Sequence, residues 1–272
     1  MSLRENPNAA APLFHRADRA GVATLTLQSP ASRNALSLAM IDALSEAFAA
    51  IGADPATRVV VLAGEGPAFS SGHDLKELRA HGNDADRGEA FYQRVMARCS
   101  ELMQQIVALP KPVIAAVEGV ATAAGCQLVA ACDLAIAGEA ARFALPGVSI
   151  GLFCSTPLVA VGRAISRKHA MEMALSGDLY GATEAERFGL VNRVVPAGAA
   201  LEEAQRLAEG IAARSAATLA IGKRAFNRQI EAPLAQAYEI AAHAMLENLA
   251  HPDAAEGISA FLDKRSPKWE SS

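Results

Sequence analysis

The first 195 residues alternate between short apolar runs of strand type and longer amphipathic segments of helix type. Residues 21–27 (GVATLTL) alternate and are rich in β-branched residues, and the turn sequence SPASRN follows them. Ser37 is a predicted N-cap, and the helix after it carries one apolar stripe: Ile41, Leu44, Phe48 and Ile51. The continuous Val and Leu run at 58–64 (RVVVLAG) then predicts a buried strand.

The same order repeats further along the chain. A second amphipathic helix precedes a strand at 112–119 (PVIAAVEG), a helix containing Gln127 follows, and strands are predicted at 134–138 and 141–145. Parallel neighbours need helical crossovers. The alternation therefore predicts an α/β core with parallel strands over residues 21–195.

Both ends of the chain differ from this pattern. Residues 1–20 read as a polar arm, and residues 196–272 contain three to four amphipathic, alanine-rich helices with no strand between them. Helices without strands cannot extend the sheet. Their apolar stripes favour a region for contacts between subunits, with an intramolecular cap as the alternative.

Composition excludes several classes of protein. The 272 residues are 51% hydrophobic with a formal charge of −4, which supports a large core and gives no attraction to nucleic acid. The four cysteines lack the spacing of metal ligands. Neither an apolar core of signal-peptide length at the N-terminus nor a run of membrane-spanning length is found. The sequence thus predicts a cytoplasmic protein without membrane association.

Two segments, 59–78 and 113–130, share one local pattern of buried strand, glycine, small-residue loop and helix start. The carboxyl ends of parallel strands carry ligand sites, and a helix N-terminus offers free backbone N–H groups. Two such loops can aim two N–H donors at one oxygen, the arrangement of an oxyanion hole. Ordinary tight turns that need small residues are the alternative interpretation.

Four motifs carry a resemblance to a known family: FSSGHDLKEL, the segment from KPVIAAVEG to GVSIGL, SGDLYGATEAERFGLVNRVVP, and the terminal FLDKRSPKW. From about residue 20 to the end the chain resembles the crotonase, or enoyl-CoA hydratase/isomerase, superfamily. The sequences FSSGHDLKEL and GLFCSTP are most similar to the branch represented by the mitochondrial enoyl-CoA hydratase domain-containing protein 3.

The resemblance implies a crotonase-like spiral of β-β-α turns, a C-terminal helical trimerisation region, and a homotrimer or hexamer. It also implies an acyl-CoA ligand, with CoA as part of the substrate and with no metal or redox cofactor. In the family pattern the backbone N–H groups of His73 and Ala124 hold the thioester oxygen. The CoA path corresponds to Arg33, Ala35, Leu36, Asp74, Leu75 and Lys76, and Lys264 of a neighbouring subunit is a further candidate for the CoA phosphates.

At two positions the chain departs from this pattern. Hydratases of the family use two glutamates to activate water, and these positions are Gln127 and Gly147 here. An amide cannot act as a general base, and glycine has no side chain. Gln127 either holds a water or a carbonyl group, or is satisfied by neighbouring backbone. The hypotheses are therefore an acyl-CoA-binding protein that stabilises an enolate, as in decarboxylation of a malonyl-type CoA, a non-catalytic acyl-CoA-binding homologue, or a hydratase that uses other groups.

Other side chains near these loops are weaker candidates. The ring of His73 has a suitable pKa, but its backbone is the expected functional group, and Asp74 is expected to cap the next helix. Three phenylalanines are candidates to fill the space that the glutamates leave: Phe69, Phe143 and Phe153. Cys126 and Cys154 are expected to be structural thiols, and Glu118 and Asp133 are expected to point away from the site.

Overall fold

The computed structural model describes residues 12–270. Residues 1–11, which make up the first part of the predicted polar arm, and residues 271–272 lie outside the described part. The strands are β1 Phe14–Arg19, β2 Val22–Leu27, β3 Val59–Gly64, β4 Ala68–Ser70, β5 Val113–Val117, β6 Val120–Thr122, β7 Leu134–Gly138, β8 Arg142–Ala144, β9 Tyr180–Gly181 and β10 Arg193–Val195.

Helices fill most of the chain between and after these strands. They are α1 Leu38–Ala53, α2 Leu75–His81, α3 Glu89–Ala108, α4 Ala124–Ala131, α5 Ser155–Ala164, α6 Arg167–Ser176, α7 Ala182–Phe188, α8 Ala200–Ala212, α9 Ala216–Gln229, α10 Leu234–Ala250 and α11 Pro252–Leu262. Short 3-10 helices occupy Pro30–Ser32 and Pro146–Ile150. Ser37 caps α1 as predicted, since its Oγ accepts a hydrogen bond from the N–H of Met40 at 3.2 Å.

The strands form two sheets that follow one another along a spiral. The larger sheet has the order β1-β2-β3-β5-β7-β10, and the smaller has the order β4-β6-β8-β9. Strands β3, β5 and β7 pair in parallel in the first sheet, and β4, β6 and β8 pair in parallel in the second. Each turn thus contributes one strand to each sheet before a helix, which is the β-β-α spiral that the resemblance implied.

Strands in the middle of the larger sheet are buried on both faces. Residues 59–63 of β3 and all of β5 are buried, in agreement with their continuous apolar sequences. Helices α1, α3 and α4 pack on one side of this sheet in the main core. Helix α8 covers the other side through Ala200, Ala204 and Ala208, whose small side chains allow close approach to the strands.

The predicted polar arm differs from the structure in its described part. Residues 14–19 form β1, which pairs antiparallel with β2 from Phe14 opposite Leu27 to Arg19 opposite Val22. An edge strand with mostly exposed residues carries few apolar positions, so its sequence reads as polar. The arm therefore includes an edge strand.

Within residues 196–270 there are four helices, where apolar stripes predicted three to four. Helix α8 packs on the sheet, whereas no side chain of α10 is buried. The division of the chain at residues 20 and 195 remains a prediction, and the position of α8 assigns that helix to the core. No helix within residues 12–270 has the length and apolarity needed to cross a membrane.

Candidate functional site

Asn34 is the buried centre of the loop that precedes α1. Arg33 and Asn34 both have positive φ values, 56° and 52°. The Asn34 amide nitrogen donates to the carbonyl oxygens of Glu65 and Ala68 at 2.9 and 2.8 Å, and its Oδ1 accepts from the N–H of Ser29 at 2.8 Å. These bonds fasten the loop to the β3–β4 connection.

The chain after β4 runs beside this loop. Ser70 Oγ donates to the carbonyl of Asn34 at 2.8 Å, and the N–H of Leu36 donates to the carbonyl of Gly72 at 2.7 Å. Leu36 and His73 form an isolated parallel bridge. In such a bridge the bonding groups come from the neighbours of His73, so the N–H of His73 itself points away from Leu36.

The second loop, between β6 and α4, lies directly against the first loop, which is the segment 70–74 that follows β4. A Cβ placed on Gly72 would lie 3.0 Å from the backbone nitrogen of Ala124 and 2.9 Å from the carbonyl oxygen of Thr122. Glycine is needed at position 72 for two reasons: its φ is +86°, and a side chain there would collide with the second loop. A Cβ on Gly125 would collide with the carbonyl of Ser70. The two loops predicted from their shared pattern therefore meet at Gly72 and Ala124.

Ala123 holds the second loop in an unusual conformation. It has φ 51° and ψ −119°, which is costly for a residue with a Cβ, and its N–H donates to the carbonyl of Ala144 at 3.0 Å. Ala124 is the first residue of α4, so its N–H has no acceptor within the helix. A strained residue immediately before a free N–H group is typical of a site where the backbone itself binds a ligand.

The ring of His73 is turned toward Leu36. Its Nδ1 lies 3.3 Å from the Leu36 carbonyl oxygen, and its buried Nε2 has no hydrogen-bond partner among the described residues. Burial lowers the pKa of His73, opposed by the bond to Leu36 and by the charge of Glu77. The ring is therefore predominantly neutral at pH 7. The carbonyl group of Leu36, in the loop that precedes α1, positions it.

Gln127 lies within α4, one turn after Ala124. Its side chain is 3% exposed, and Oε1 has no hydrogen-bond partner among residues 12–270. Neighbouring backbone therefore does not bond this oxygen. An amide at this position can accept or donate a hydrogen bond, but it cannot exchange a proton with a substrate near neutral pH.

Gly147 lies in the buried 3-10 helix that follows β8. A Cβ at this position would lie 2.8 Å from the carbonyl oxygen of Leu152 and 2.9 Å from the Sγ of Cys154. The backbone around Gly147 therefore leaves no space for a side chain. A side chain at Gly147, a carboxylate included, would need this backbone to move.

The residues predicted for the CoA path divide by exposure. Asp74 caps α2, with Oδ1 accepting from the N–H groups of Lys76 and Glu77 at 2.8 and 3.2 Å. Arg33, Leu75 and Lys76 are exposed, whereas Ala35 is 7% exposed and Leu36 is fully buried. The side chain of Leu36 is therefore not available to a ligand, and its backbone N–H and carbonyl groups bond to Gly72 and His73.

Lys264 lies apart from this group, beyond the end of α11, and its side chain is exposed. The loops 29–36 and 70–76 bring the other predicted residues of the CoA path together within one chain. A contribution of Lys264 from a neighbouring subunit to the CoA phosphates remains a prediction.

The remaining candidate side chains are engaged elsewhere. Glu118 Oε1 accepts from the N–H of Ala200, and Asp133 Oδ2 accepts from Lys223 Nζ at 2.6 Å. Phe69 and Phe143 are fully buried in the main core, whereas Phe153 is 43% exposed. Of the three phenylalanines, the two buried ones belong to the packing beneath the loops.

The thiols near the site are poor nucleophiles. Burial raises the pKa of Cys126 to about 12, and burial also raises the pKa of Cys154. A thiol in such surroundings stays protonated at neutral pH and packs as a small apolar side chain. Across the described residues, no group of three histidine, cysteine or acidic side chains is arranged to hold a metal ion.

Asn34 and Ser70 are the residues that sequence reasoning missed. Both are buried polar side chains that join the two loops, and neither was a predicted site residue. The signal for Asn34 was its place in the turn sequence SPASRN, where asparagine tolerates positive φ and bonds to nearby backbone.

Two cavities, of about 540 and 850 Å³, lie away from the loops, one between α9 and α10 and one around Lys223 and Cys132.

Comparison with known proteins places this geometry in context. The sequence matches the family model described as enoyl-CoA hydratase/isomerase over residues 17–272. A curated rat (Rattus norvegicus) relative named enoyl-CoA hydratase domain-containing protein 3, mitochondrial, is 46% identical over 249 residues, covering 92% of this chain and 81% of the relative.

The chain is also similar in structure to solved proteins that carry enoyl-CoA hydratase names. An enoyl-CoA hydratase of Mycobacterium smegmatis superposes with a TM-score of 0.90 and 49% identity, covering 95% of this chain and 99% of the other. Human enoyl Coenzyme A hydratase domain-containing protein 3 gives a TM-score of 0.90 with 43% identity, covering 95% and 100% of the two chains.

Proposed function

The chain belongs to the enoyl-CoA hydratase/isomerase family, and from that membership we propose that it binds an acyl-CoA thioester and stabilises its enolate. The N–H groups of His73 and Ala124 hold the thioester oxygen. The observation that carries the proposal is the contact of the two loops, where a Cβ on Gly72 would lie 3.0 Å from the Ala124 nitrogen.

Such a pair of donors stabilises the charge that develops on the thioester oxygen. Each oxyanion-hole donor typically contributes about 10²–10³ in rate. Both donors are backbone groups held by the packed loops, so little reorganisation accompanies the reaction. Enolate stabilisation is thus the chemistry that the two backbone N–H groups support.

Classical hydration is not expected, because Gln127 and Gly147 occupy the positions of the family glutamates. Adding water across a double bond needs a group that moves a proton, and neither residue provides one. Decarboxylation of a malonyl-type CoA needs less. Its C–C bond breaks with loss of carbon dioxide, and the electron pair left on the α carbon forms the enolate that the N–H groups stabilise. Solvent water then supplies the proton that converts the enolate to acetyl-CoA.

The CoA moiety is proposed to lie along the loops 29–36 and 70–76. Ala35, Leu36, Asp74 and Leu75 line its path, and Arg33 and Lys76 are exposed cations near its phosphates. Lys264 of a second copy is a further candidate for the same phosphates. CoA enters as part of the substrate, and the proposal includes no metal or redox cofactor.

The C-terminal helices are proposed to join copies of the chain into a homotrimer or a hexamer. Large apolar side chains on α10 and after it are exposed: Leu234, Tyr238, Met245, Leu246, Leu249, Phe261 and Leu262. Burying this surface between copies would remove it from water. Sedimentation equilibrium of the full chain distinguishes the trimer from the hexamer.

A cytoplasmic location remains our proposal, without nucleic-acid or membrane partners. The name of the rat relative includes the word mitochondrial, and this favours a mitochondrial location instead. Fractionation of cells that express the full-length protein at its native level decides between the two.

A non-catalytic acyl-CoA-binding or regulatory role is the second candidate function. The arrangement of Gln127 and Gly147, together with the neutral ring of His73 held at Leu36, favours it. A protein of this kind would bind the thioester through the same two N–H groups and release it unchanged.

One experiment separates these functions. The purified protein is titrated calorimetrically with acetyl-, crotonyl- and malonyl-CoA, and the mixtures are analysed by mass spectrometry. Binding with formation of acetyl-CoA from malonyl-CoA supports the decarboxylase, and binding without product supports the regulatory homologue. Hydration of crotonyl-CoA would contradict the assignment at Gln127 and Gly147, and absence of binding would contradict the ligand class.

A further inference from the structure

The hydroxyl of Ser70, at the start of the first loop, is fully buried and makes two hydrogen bonds. It donates to the carbonyl oxygen of Asn34 at 2.8 Å and accepts from the N–H of Gly72 at 3.3 Å. A serine hydroxyl has one proton and two lone pairs, so it makes both bonds at once. The side chain of Ser70 therefore ties the first loop to the segment that precedes α1.

Gly72 is the residue whose conformation decides where the N–H of His73 points. Its φ of +86° suits glycine, and the absence of a Cβ that permits this value also leaves the backbone free to rotate. Two bonds restrict that rotation, because the N–H of Gly72 donates to Ser70 Oγ and its carbonyl accepts from the N–H of Leu36 at 2.7 Å. A trans peptide is planar, so fixing the carbonyl of Gly72 also fixes the N–H of His73 on the opposite side.

The backbone of Ser70 also borders the second loop. A Cβ on Gly125 would collide with the Ser70 carbonyl oxygen and would lie 2.9 Å from the Ser70 Cβ. Gly125 directly follows Ala124 in α4, so the packing leaves no space between Ser70 and the start of that helix. A shift of Ser70 would therefore disturb the chain at His73 and at Ala124 together.

We propose that Ser70 is a positioning residue that holds the N–H groups of His73 and Ala124 in the geometry that polarises a thioester carbonyl. It acts through Gly72 and Gly125 and does not touch the ligand. This inference rests on the proposed function, since it needs the thioester oxygen at the two N–H groups. Loss of the hydroxyl should weaken the bonds to that oxygen more than it weakens binding of the CoA portion.

The test compares Ser70→Ala with the wild-type protein through the isotope-edited infrared band of bound acetyl-CoA, labelled with ¹³C at its thioester carbon. In the wild-type protein this band should lie below its solution position, and in Ser70→Ala it should move back toward that position. Affinity for acetyl-CoA, measured by isothermal titration, should fall about fivefold, which corresponds to one neutral hydrogen bond. CoA has no thioester carbonyl, so its affinity should change by less than about twofold.

Ser215→Ala is the matched control. Ser215 is also a buried serine with two bonds: at the start of α9 its Oγ donates to Asp253 at 2.6 Å and accepts from the N–H of Thr218 at 3.1 Å. Its removal should lower stability and leave the carbonyl band at the wild-type position. Ser70→Cys keeps nearly the size of the side chain with a weaker donor and acceptor, so its band should lie between those of the wild type and Ser70→Ala.

The outcomes separate this inference from the proposed function. A wild-type band position in Ser70→Ala overturns the inference and leaves the proposed function intact. The same holds for an equal shift in Ser215→Ala, or for equal losses of acetyl-CoA and CoA affinity in Ser70→Ala, because general loosening of the fold then explains the effect. A wild-type band at its solution position, or absence of acetyl-CoA binding, overturns both proposals. If Ser70→Ala does not fold, a wild-type band in Ser70→Cys overturns the inference.

Discussion

The backbone half and the side-chain half of the candidate site differ in how completely they are built. The loops 70–74 and 122–125 converge through glycine, a strained alanine and buried hydrogen bonds that leave the N–H groups of His73 and Ala124 for a ligand. The positions of the proton-transfer side chains hold Gln127 and Gly147 instead. The backbone half is specified in detail, whereas these two positions of the side-chain half carry no titratable group.

This difference shows why ligand class and reaction can be separated in one fold. An oxyanion hole is made of backbone, so it depends on loop conformation and on the small residues that permit it. Acid–base chemistry depends on individual side chains that a single substitution removes. A chain can therefore keep its thioester site while its reaction changes or disappears.

The backbone half should be most sensitive to a Cβ placed between the two loops. Gly72→Ala would put a methyl group 3.0 Å from the Ala124 nitrogen at φ +86°, so one loop must move. We expect acyl-CoA affinity to fall by about tenfold or more, because displacement of one N–H donor weakens charge-supporting hydrogen bonds. Isothermal titration with crotonyl-CoA measures the change.

Gly198→Ala is the matched control for that substitution. Gly198 has φ +83°, and no neighbouring atom lies within 4 Å of the position that a Cβ would take, so this variant carries the conformational cost alone. That cost is about 1–2 kcal/mol of stability, with affinity unchanged. Equal affinities for the Gly72 and Gly198 variants would show that the loop contact does not govern binding.

Removing the buried amide of Asn34 tests the support beneath the first loop. Asn34→Ala leaves the carbonyl groups of Glu65 and Ala68 without that donor. We expect a loss of about 3 kcal/mol in the free energy of unfolding, measured by urea denaturation, because buried groups left unpaired are costly. Asn227→Ala, at a half-buried asparagine whose bond to the Val107 carbonyl is exposed to solvent, should cost below about 1 kcal/mol. Similar losses in both variants would contradict a special role for Asn34.

Much of this half was predictable, since the strand-glycine-helix pattern at 59–78 and 113–130 and the family resemblance both placed the loops correctly. The β-β-α spiral also agrees with the resemblance. Edge strand β1 was missed because its exposed residues carry no apolar alternation to read. Asn34 was missed because burial of a polar loop residue depends on partners 31 and 34 positions away along the chain.

For the side-chain half, the sequence identifies the residues at the two positions but not their surroundings. The sequence shows that Gln127 and Gly147 are not acids. Only the packed structure shows that Oε1 of Gln127 is unpaired and that Cys154 and Leu152 close the space at Gly147. These facts depend on how separate segments pack, which a local pattern does not encode.

Adding a side chain at Gly147 tests the other half of the site. Gly147→Ala would bring a methyl group to 2.8 Å from the Leu152 carbonyl, and overpacking of this kind costs about 1–3 kcal/mol. Thermal unfolding of Gly147→Ala beside Gly162→Ala measures this cost, since Gly162, like Gly147, does not have a left-handed φ and has open space around the position of a Cβ. Wild-type stability in Gly147→Ala would contradict the lack of space at this position.

The pH dependence of stability should show a smaller effect. Burial lowers the pKa of His73 in the folded protein, so the unfolded chain takes up its proton first as the pH falls. The stability from the neutral ring is fully present above about pH 6.5, the ordinary histidine value, and is lost as the pH falls through the folded pKa. His73→Asn should show a shallower decline in urea unfolding below about pH 6.5. Parallel profiles for the two proteins would contradict the assignment.

Polarisation of a bound thioester by the N–H groups of His73 and Ala124 can be observed at the carbonyl group itself. The measurement is the isotope-edited infrared spectrum of acetyl-CoA labelled with ¹³C at its thioester carbon, bound to the protein. Two N–H donors should move the carbonyl band to lower wavenumber than in free acetyl-CoA, and Gly72→Ala should reduce that shift. A bound thioester whose carbonyl band stays at its solution position would contradict the proposed role of the two loops.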